Sequence, residues 1–323
     1  MLALGACGVA GAAWWARADS AGVRALAITA EALSLDAGDP TLERVGRLIY
    51  RGGLRLSAGD PRFGGWSDLR VAADGGAFTA VSDRGAWLEA RLDYDSRHHL
   101  RSLGAARIGS LIDTAGRPLR GFMADAEGLA RLPGGGFIVA FERRHRFWRY
   151  PAAEPPFSVA PQALPAPAEL ARLRANGGIE AFTRLSGGAL LALAEDSGEG
   201  GTHAGWIGDG RTWEWLSYQA EEGFSPTALA ESPGGEVLVL ERRFSLLGGW
   251  SARVVRLARG DIRAGAVLRG AEIARISSPL TRDNFEGLGT ARGPRGETLI
   301  YLLSDDNFSA LQSTLLLMFE LAE

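Results

Sequence analysis

Lysine is missing from this 323-residue chain, so all 35 of its basic residues are arginine. Lysine Schiff-base chemistry is therefore excluded, and the cationic side chains are planar forks suited to carboxylate or phosphate. Composition bias accounts for most of that choice. Cysteine is nearly missing as well: Cys7 stands alone, which excludes an internal disulfide and a thiolate zinc site. The four histidines, His98, His99, His145 and His203, show no His-Glu-x-x-His spacing. No Gly-x-Ser-x-Gly elbow is present, so a serine esterase lacks its usual nucleophile motif. Excess charge is also small, 38 acids against 35 bases for a formal −3 and a pI near 5.9. Without a net positive field, nucleic acid is not an expected partner.

What is abundant is glycine and apolar residues. The 44 glycines are about twice the ordinary share, follow no three-residue period and fall between short apolar runs. Together with 46% hydrophobic content, this describes a large core built from many strands and tight turns.

The start of the chain differs from the rest. Residues 1–18 are small and apolar and end in Ala16-Arg17-Ala18, a small-x-small pattern expected before signal cleavage. Two readings remain open: an export signal leading to a periplasmic or secreted protein, or a lipoprotein leader in which Leu4-Gly5-Ala6-Cys7 makes Cys7 a lipid anchor. The apolar run is shorter than the roughly 18 residues a membrane span needs, and no basic stretch precedes it.

One phrase recurs. "EGLARLPGGGFIVAFE" from Glu127 to Glu142 matches "EAFTRLSGGALLALAE" from Glu180 to Glu195, and both match "EGLGTARGPRGETLIYLLSD" from Glu286 to Asp305. Two further copies, beginning at Ser67 and Thr227, lack the leading acid. The five leading positions, 67, 127, 180, 227 and 286, stand 47 to 60 residues apart, and each copy turns on glycine midway. A hairpin repeated at this period is the signature of a propeller blade. The near-continuous apolar runs "FIVAF", "ALLALA" and "EVLVL" suit strands covered on both faces by neighbouring blades. The expected fold is all-β: one β-propeller over residues 25–323 with four-stranded antiparallel blades. Six blades are expected, with five or seven open, and an N-terminal strand should pair with "TLLLMFELA" to close the ring. The proline-rich stretch 150–170 reads as an extended connector between the second and third copies.

In an antiparallel hairpin the first residue of one strand lies beside the last of the other, which predicts that Glu127 meets Glu142 and Glu180 meets Glu195. Inner strands line the channel, so these acids should gather at one of its mouths. Glycine after the acid, as in Gly128 and Gly287, lets crowded strands approach. Converging carboxylates must be protonated or matched by cations. The matching charge is either arginine, from Asp83-Arg84, Glu142-Arg143-Arg144 and Glu241-Arg242-Arg243, or a hard divalent cation held by oxygen ligands such as Glu127, Glu180, Glu286 and Asp305. Inter-blade salt bridges without any ligand are the competing explanation. The expected catalytic set is Glu127, Glu180, Glu286, Arg143 and Arg242. Arg84, Asp83, Glu142, Glu241 and Asn284 are expected to contact an anionic or ester substrate.

Glu-Gly-Leu opening an inner strand, Ser-Asp-Arg closing the first hairpin, Glu-Arg-Arg closing later ones and Asn-Phe-Glu-Gly near the end resemble the bacterial phytase-like propeller family with esterase-like activity. The resemblance runs from about Arg44 to Glu323. It implies an exported propeller that hydrolyses phosphoesters or other esters with calcium as the expected cofactor; a monomer is expected. Its acids fall here on Asp83, Glu127, Glu142, Glu180, Glu241 and Glu286. A lactonase-like calcium propeller and a non-catalytic binding propeller are the alternatives. Ser67 and Thr227 break the symmetry of a full acidic ring.

Overall fold

The computed structural model describes residues 22–322. The expected leader and Cys7 lie outside the described residues. Among the described residues there is no α-helix, and none of the helical turns is long and apolar enough to cross a membrane.

Five antiparallel sheets form the molecule. Their inner strands are Trp66–Val71, Ala126–Arg131, Ile179–Arg184, Ser225–Glu231 and Asn284–Arg292, here the first strands of blades one to five. Each inner strand packs on the next, and that of blade five packs on that of blade one, so the ring is closed. Blades two to four then build outward in chain order, whereas blades one and five take their outermost strands from the N-terminal part of the chain. Blade two, for example, continues through Phe137–Phe141 and Arg146–Tyr150 to Gln162–Leu164.

The count is five rather than six because the N-terminal strands do not form a blade of their own. Ile28–Leu33 and Leu48–Ala58 are the outer strands of blade five, and Arg24–Leu26 borders the outer edge of blade one. Closure follows the expected route. Thr314–Leu321 pairs antiparallel with Leu48–Ala58, so the last strand and an N-terminal strand share one sheet and close the ring. The proline-rich stretch is more than a connector. It buries Phe157 against Trp87 and Phe137, and it supplies the fourth strand of blade two.

Five apolar clusters lie between successive blades, which is why the strand sequences are apolar on both faces. Leu69 and Phe78 of blade one meet Tyr301 and Leu303 of blade five. On the opposite side of blade one, Val81 and Trp87 meet Leu129 and Val139 of blade two. Blade two places Phe147 against Phe182, with ring centroids 5.1 Å apart. Trp206 is buried and packs edge-on against Trp215, while Trp213 stacks on Phe147 at 5.0 Å. Trp206 and Trp213 therefore serve blade packing, while Trp215 is about half exposed.

The axis is crossed by an ion pair. Asp68 accepts from the Leu129 amide of blade two, and Arg70 binds Asp68 at 2.8 Å while donating to the carbonyls of Phe182 in blade three and Leu288 in blade five. Four of the five inner strands are thus tied together midway along the channel, which separates its two mouths.

Candidate metal centre at one mouth of the channel

The register of every inner hairpin shifts by one residue at the same place. The shifted residues are Ser67, Glu127, Glu180, Thr227 and Glu286. Such a bulge sets two residues opposite one and re-aims a side chain, here at the five positions where the repeats begin. The predicted direct pairs Glu127 with Glu142 and Glu180 with Glu195 therefore do not form. Instead the Glu142 amide donates to Asp125 O and the Glu195 amide to Gly178 O. The acids nonetheless reach a common mouth.

The glycines that follow make room there. A Cβ on Gly128 would stand 2.7 Å from Phe182 Cβ, and one on Gly287 would stand 2.9 Å from Leu69 Cδ2, both closer than carbon atoms approach.

One pair beyond each bulge, the second strands contribute Asp83, Glu142, Glu195, Arg242 and Asp305. This corrects the reading of blade four. Counted from its bulge residue Thr227, the blade-four hairpin has the same length as those from Glu127 to Glu142 and from Glu180 to Glu195, so Arg242 and not Glu241 takes the mouth position. One step along a strand reverses the face. Glu241 is buried between blades, bound by Arg253 Nη1 at 2.6 Å and by the Tyr218 hydroxyl, and has no place in a substrate site.

Arg242 is the hub of one half of the mouth. Its guanidinium lies 2.5 Å from Glu286 Oε1, 3.0 Å from Glu195 Oε1 and 3.5 Å from Glu180 Oε1, and it donates to Asn284 Oδ1 at 2.6 Å. Asn284 in turn donates to Glu286 at 2.8 Å. These contacts occupy Arg242, so it organises the mouth and is not free to clamp a substrate.

The other half contains Asp125, Glu127 and Glu142, each offering a carboxylate oxygen within 4.8 Å of the others. Among the described residues one guanidinium is hydrogen-bonded to this group: Arg143 Nε donates to Asp125 Oδ2 at 2.6 Å, while half of the Arg143 side chain faces solvent. Glu142 Oε1 accepts the Gly178 amide at 2.5 Å. Asp83 and Asp305 lie nearby, with the Asp305 carboxylate accepting the Asn307 amide. Arg84 is exposed at the rim, its guanidinium 3.5 Å from the centroid of Phe308.

Burial and crowding hold these acids toward their protonated forms. Glu127 is raised well above the ordinary carboxylate value, by burial first and then by the fields of Glu180, Asp125, Glu286 and Glu142. Glu180 is likewise raised by burial and Glu195, although Arg242 opposes the shift. Burial raises Glu142 and Asp83 to about 7, Glu286 to about 8 and Asp305 to about 6. Glu180 Oε2 is buried without a hydrogen-bond partner. An orphaned carboxylate oxygen beside a carboxylate triad is a donor set that fits a hard cation.

The structure thus brings Glu127, Glu180, Glu286, Asp305, Asp83, Glu142, Asn284, Arg143 and Arg242 to one mouth. Of the four expected metal ligands only Glu127 belongs to the triad, because Arg242 draws Glu180 and Glu286 toward itself. Asp125 was missed as a ligand. The two acids of "DAE" are visible in the chain, but the approach of Asp125 to Glu142 is set by the pairing of two strands.

The model of the phytase-like family, described as esterase-like activity of phytase, matches residues 61–308. No curated protein matches the chain. Among solved structures, a protein provisionally assigned as a gluconolactonase is 14% identical with a TM-score of 0.46, covering 91% of this chain and 94% of its own. Virginiamycin B lyase from Staphylococcus aureus is 8% identical with a TM-score of 0.41, covering 91% and 100%. A luciferin-regenerating enzyme is 11% identical with a TM-score of 0.39, covering 80% and 92%. The blade count rests on strand pairing and owes nothing to these distant likenesses. With 61–308 matched, spanning all five inner hairpins, the chain belongs to the phytase-like family.

Proposed function

We propose that this protein is an exported, cation-dependent hydrolase of phosphoesters or other esters that works at the acidic mouth of the channel. The observation that carries this reading is the triad of Asp125, Glu127 and Glu142 beside the orphaned oxygen of Glu180. Asp125, Glu127 and Glu142 would hold the cation, and Ca2+ suits an all-oxygen set. A bound divalent cation supplies Lewis acidity toward an ester or phosphoryl oxygen and raises the acidity of water.

The remaining work falls to the chain. Arg143 is anchored through Nε to Asp125, and its solvent-facing end orients the anionic part of a substrate. Glu180 Oε2, buried and without a partner, accepts the proton of the attacking water when the carboxylate is ionised. Arg242 holds Glu180, Glu195 and Glu286 in place. Family membership and the leader-like first eighteen residues support the hydrolytic and exported parts of the reading.

Hydrolysis of 4-nitrophenyl phosphate and 4-nitrophenyl acetate, each measured with calcium and with EDTA, tests the proposal. Calcium-dependent turnover of either ester is expected. Equal, negligible rates in both conditions from a folded protein whose melting temperature rises with calcium would leave a binding propeller and remove the catalytic reading.

A further inference from the structure

The opposite mouth of the channel has the reverse charge. A cavity of about 540 Å³ opens there, lined by Arg70, Arg131, Arg184, Arg292, Glu231 and Thr290 among others. The guanidinium groups come from the inner strands of blades one, two, three and five. Arg131 and Arg184 occupy the same repeat position, four residues after the bulge, and blade four has Glu231 there. That one acid is already neutralised, since Arg259 pairs with it and the Ser186 hydroxyl donates to it at 3.0 Å.

The arginines are not. Among the described residues no carboxylate lies within ion-pair distance of Arg131, Arg184 or Arg292. Arg131 lies over the Phe137 ring at 5.2 Å, and Arg292 donates only to the carbonyls of Pro233 and Gly296. Arg70 is a second and independent indication. It is 7% exposed, lines the cavity floor, and keeps a buried Nε without an acceptor although its two Nη atoms are fully engaged by Asp68 and three carbonyls. A buried charged donor left unmatched is costly, and an anionic oxygen would relieve it.

We propose that this basic mouth binds a small multivalent oxyanion, a phosphate ester or a polycarboxylate. Planar guanidinium forks converging from several strands match such oxygens, and the enclosed volume is that of a small-molecule site. The site is separate from the acidic mouth, with the Asp68–Arg70 pair between them.

Calorimetric titration with inorganic pyrophosphate and with citrate, in EDTA and at low salt, tests this on the full chain. Binding of one or both is expected, weakened about tenfold or more in an R184A/R292A double variant. Arg184→Gln alone should weaken it several-fold and guards against misfolding of the double variant. Glu127→Gln, at the far mouth, should leave the affinity unchanged. Absence of binding at millimolar anion would overturn the proposal. So would an affinity insensitive to the arginine changes, or one lost in Glu127→Gln, which would place the anion at the acidic mouth.

Discussion

Two halves of the acidic mouth are made from the same repeat yet solve the same electrostatic problem differently. On the side of blades three to five, Glu180, Glu195 and Glu286 converge on Arg242, and one largely buried guanidinium lies within ion-pair distance of all three. On the side of blade two, Asp125, Glu127 and Glu142 face one half-exposed arginine. The difference traces to one position. Blade four places arginine where the other four blades place an acid, and its bulge residue is Thr227 rather than glutamate. A half that carries its own counter-charge is built for shape. A half whose single arginine touches only Asp125 leaves Glu127 and Glu142 open to a cation from outside.

Removing the internal counter-charge should have the largest effect. Arg242→Ala leaves buried Glu180 and Glu286 and half-buried Glu195 without their guanidinium, and denaturant unfolding should show a loss of about 3–5 kcal/mol. A loss below about 1 kcal/mol would mean that the half is not held by this hub.

Acidity separates the halves next. Glu142 and Asp83 titrate at about 7 in the folded protein, against about 4 in the unfolded chain, so the native state binds more protons between those limits. Their contribution to stability in EDTA is therefore fully present below about pH 4 and is lost as pH rises through 7, by at most about 1.4 kcal/mol per group for each pH unit crossed. Calcium should flatten that fall by stabilising the ionised triad. A melting temperature that rises from pH 5 to 8 in EDTA would contradict the assigned protonation.

Glu241→Gln probes the inter-blade pair that the repeat alignment confused with the mouth. It should cost about 1–3 kcal/mol by weakening the bond to buried Arg253, while the calcium-induced rise in melting temperature stays as in the unaltered chain.

Glu127→Gln should do the converse. It relieves crowding, so stability in EDTA should hold or rise, but each tenfold loss of calcium affinity removes about 1.4 kcal/mol of the ligand-induced stabilisation. A calcium response equal to that of the unaltered protein would move the cation elsewhere. The smallest effect is expected from Arg84→Ala, about 0.5–1 kcal/mol from the lost stacking on Phe308, with calcium binding intact.

Much of this was legible in the chain. The five glycine-centred hairpins, their order and the convergence of Glu127, Glu180 and Glu286 follow from a repeat whose strands are apolar on both sides. Three things were not legible. The blade number depended on whether Ile28–Leu33 and Leu48–Ala58 stand alone or join blade five, and nothing local decides where an outer strand finds its partner. Glu241 was placed at the mouth because Glu241-Arg242-Arg243 was matched to Glu142-Arg143-Arg144, whereas pairing sets Arg242 opposite Ser225 as Glu142 stands opposite Asp125. Asp125 was passed over as a ligand because the bulge that sets it near Glu142 is a property of two strands together.

Spacing and composition alone determined that hairpins repeat around an axis and that acids recur at their tips, because those are periodic properties of one strand and its turn. Only the tertiary structure decided which acids Arg242 neutralises and which stay short of charge, since Arg242 meets carboxylates from blades three and five that lie up to 62 residues away in sequence. Charge balance at a shared mouth acts through space across blades, and no single repeat contains it.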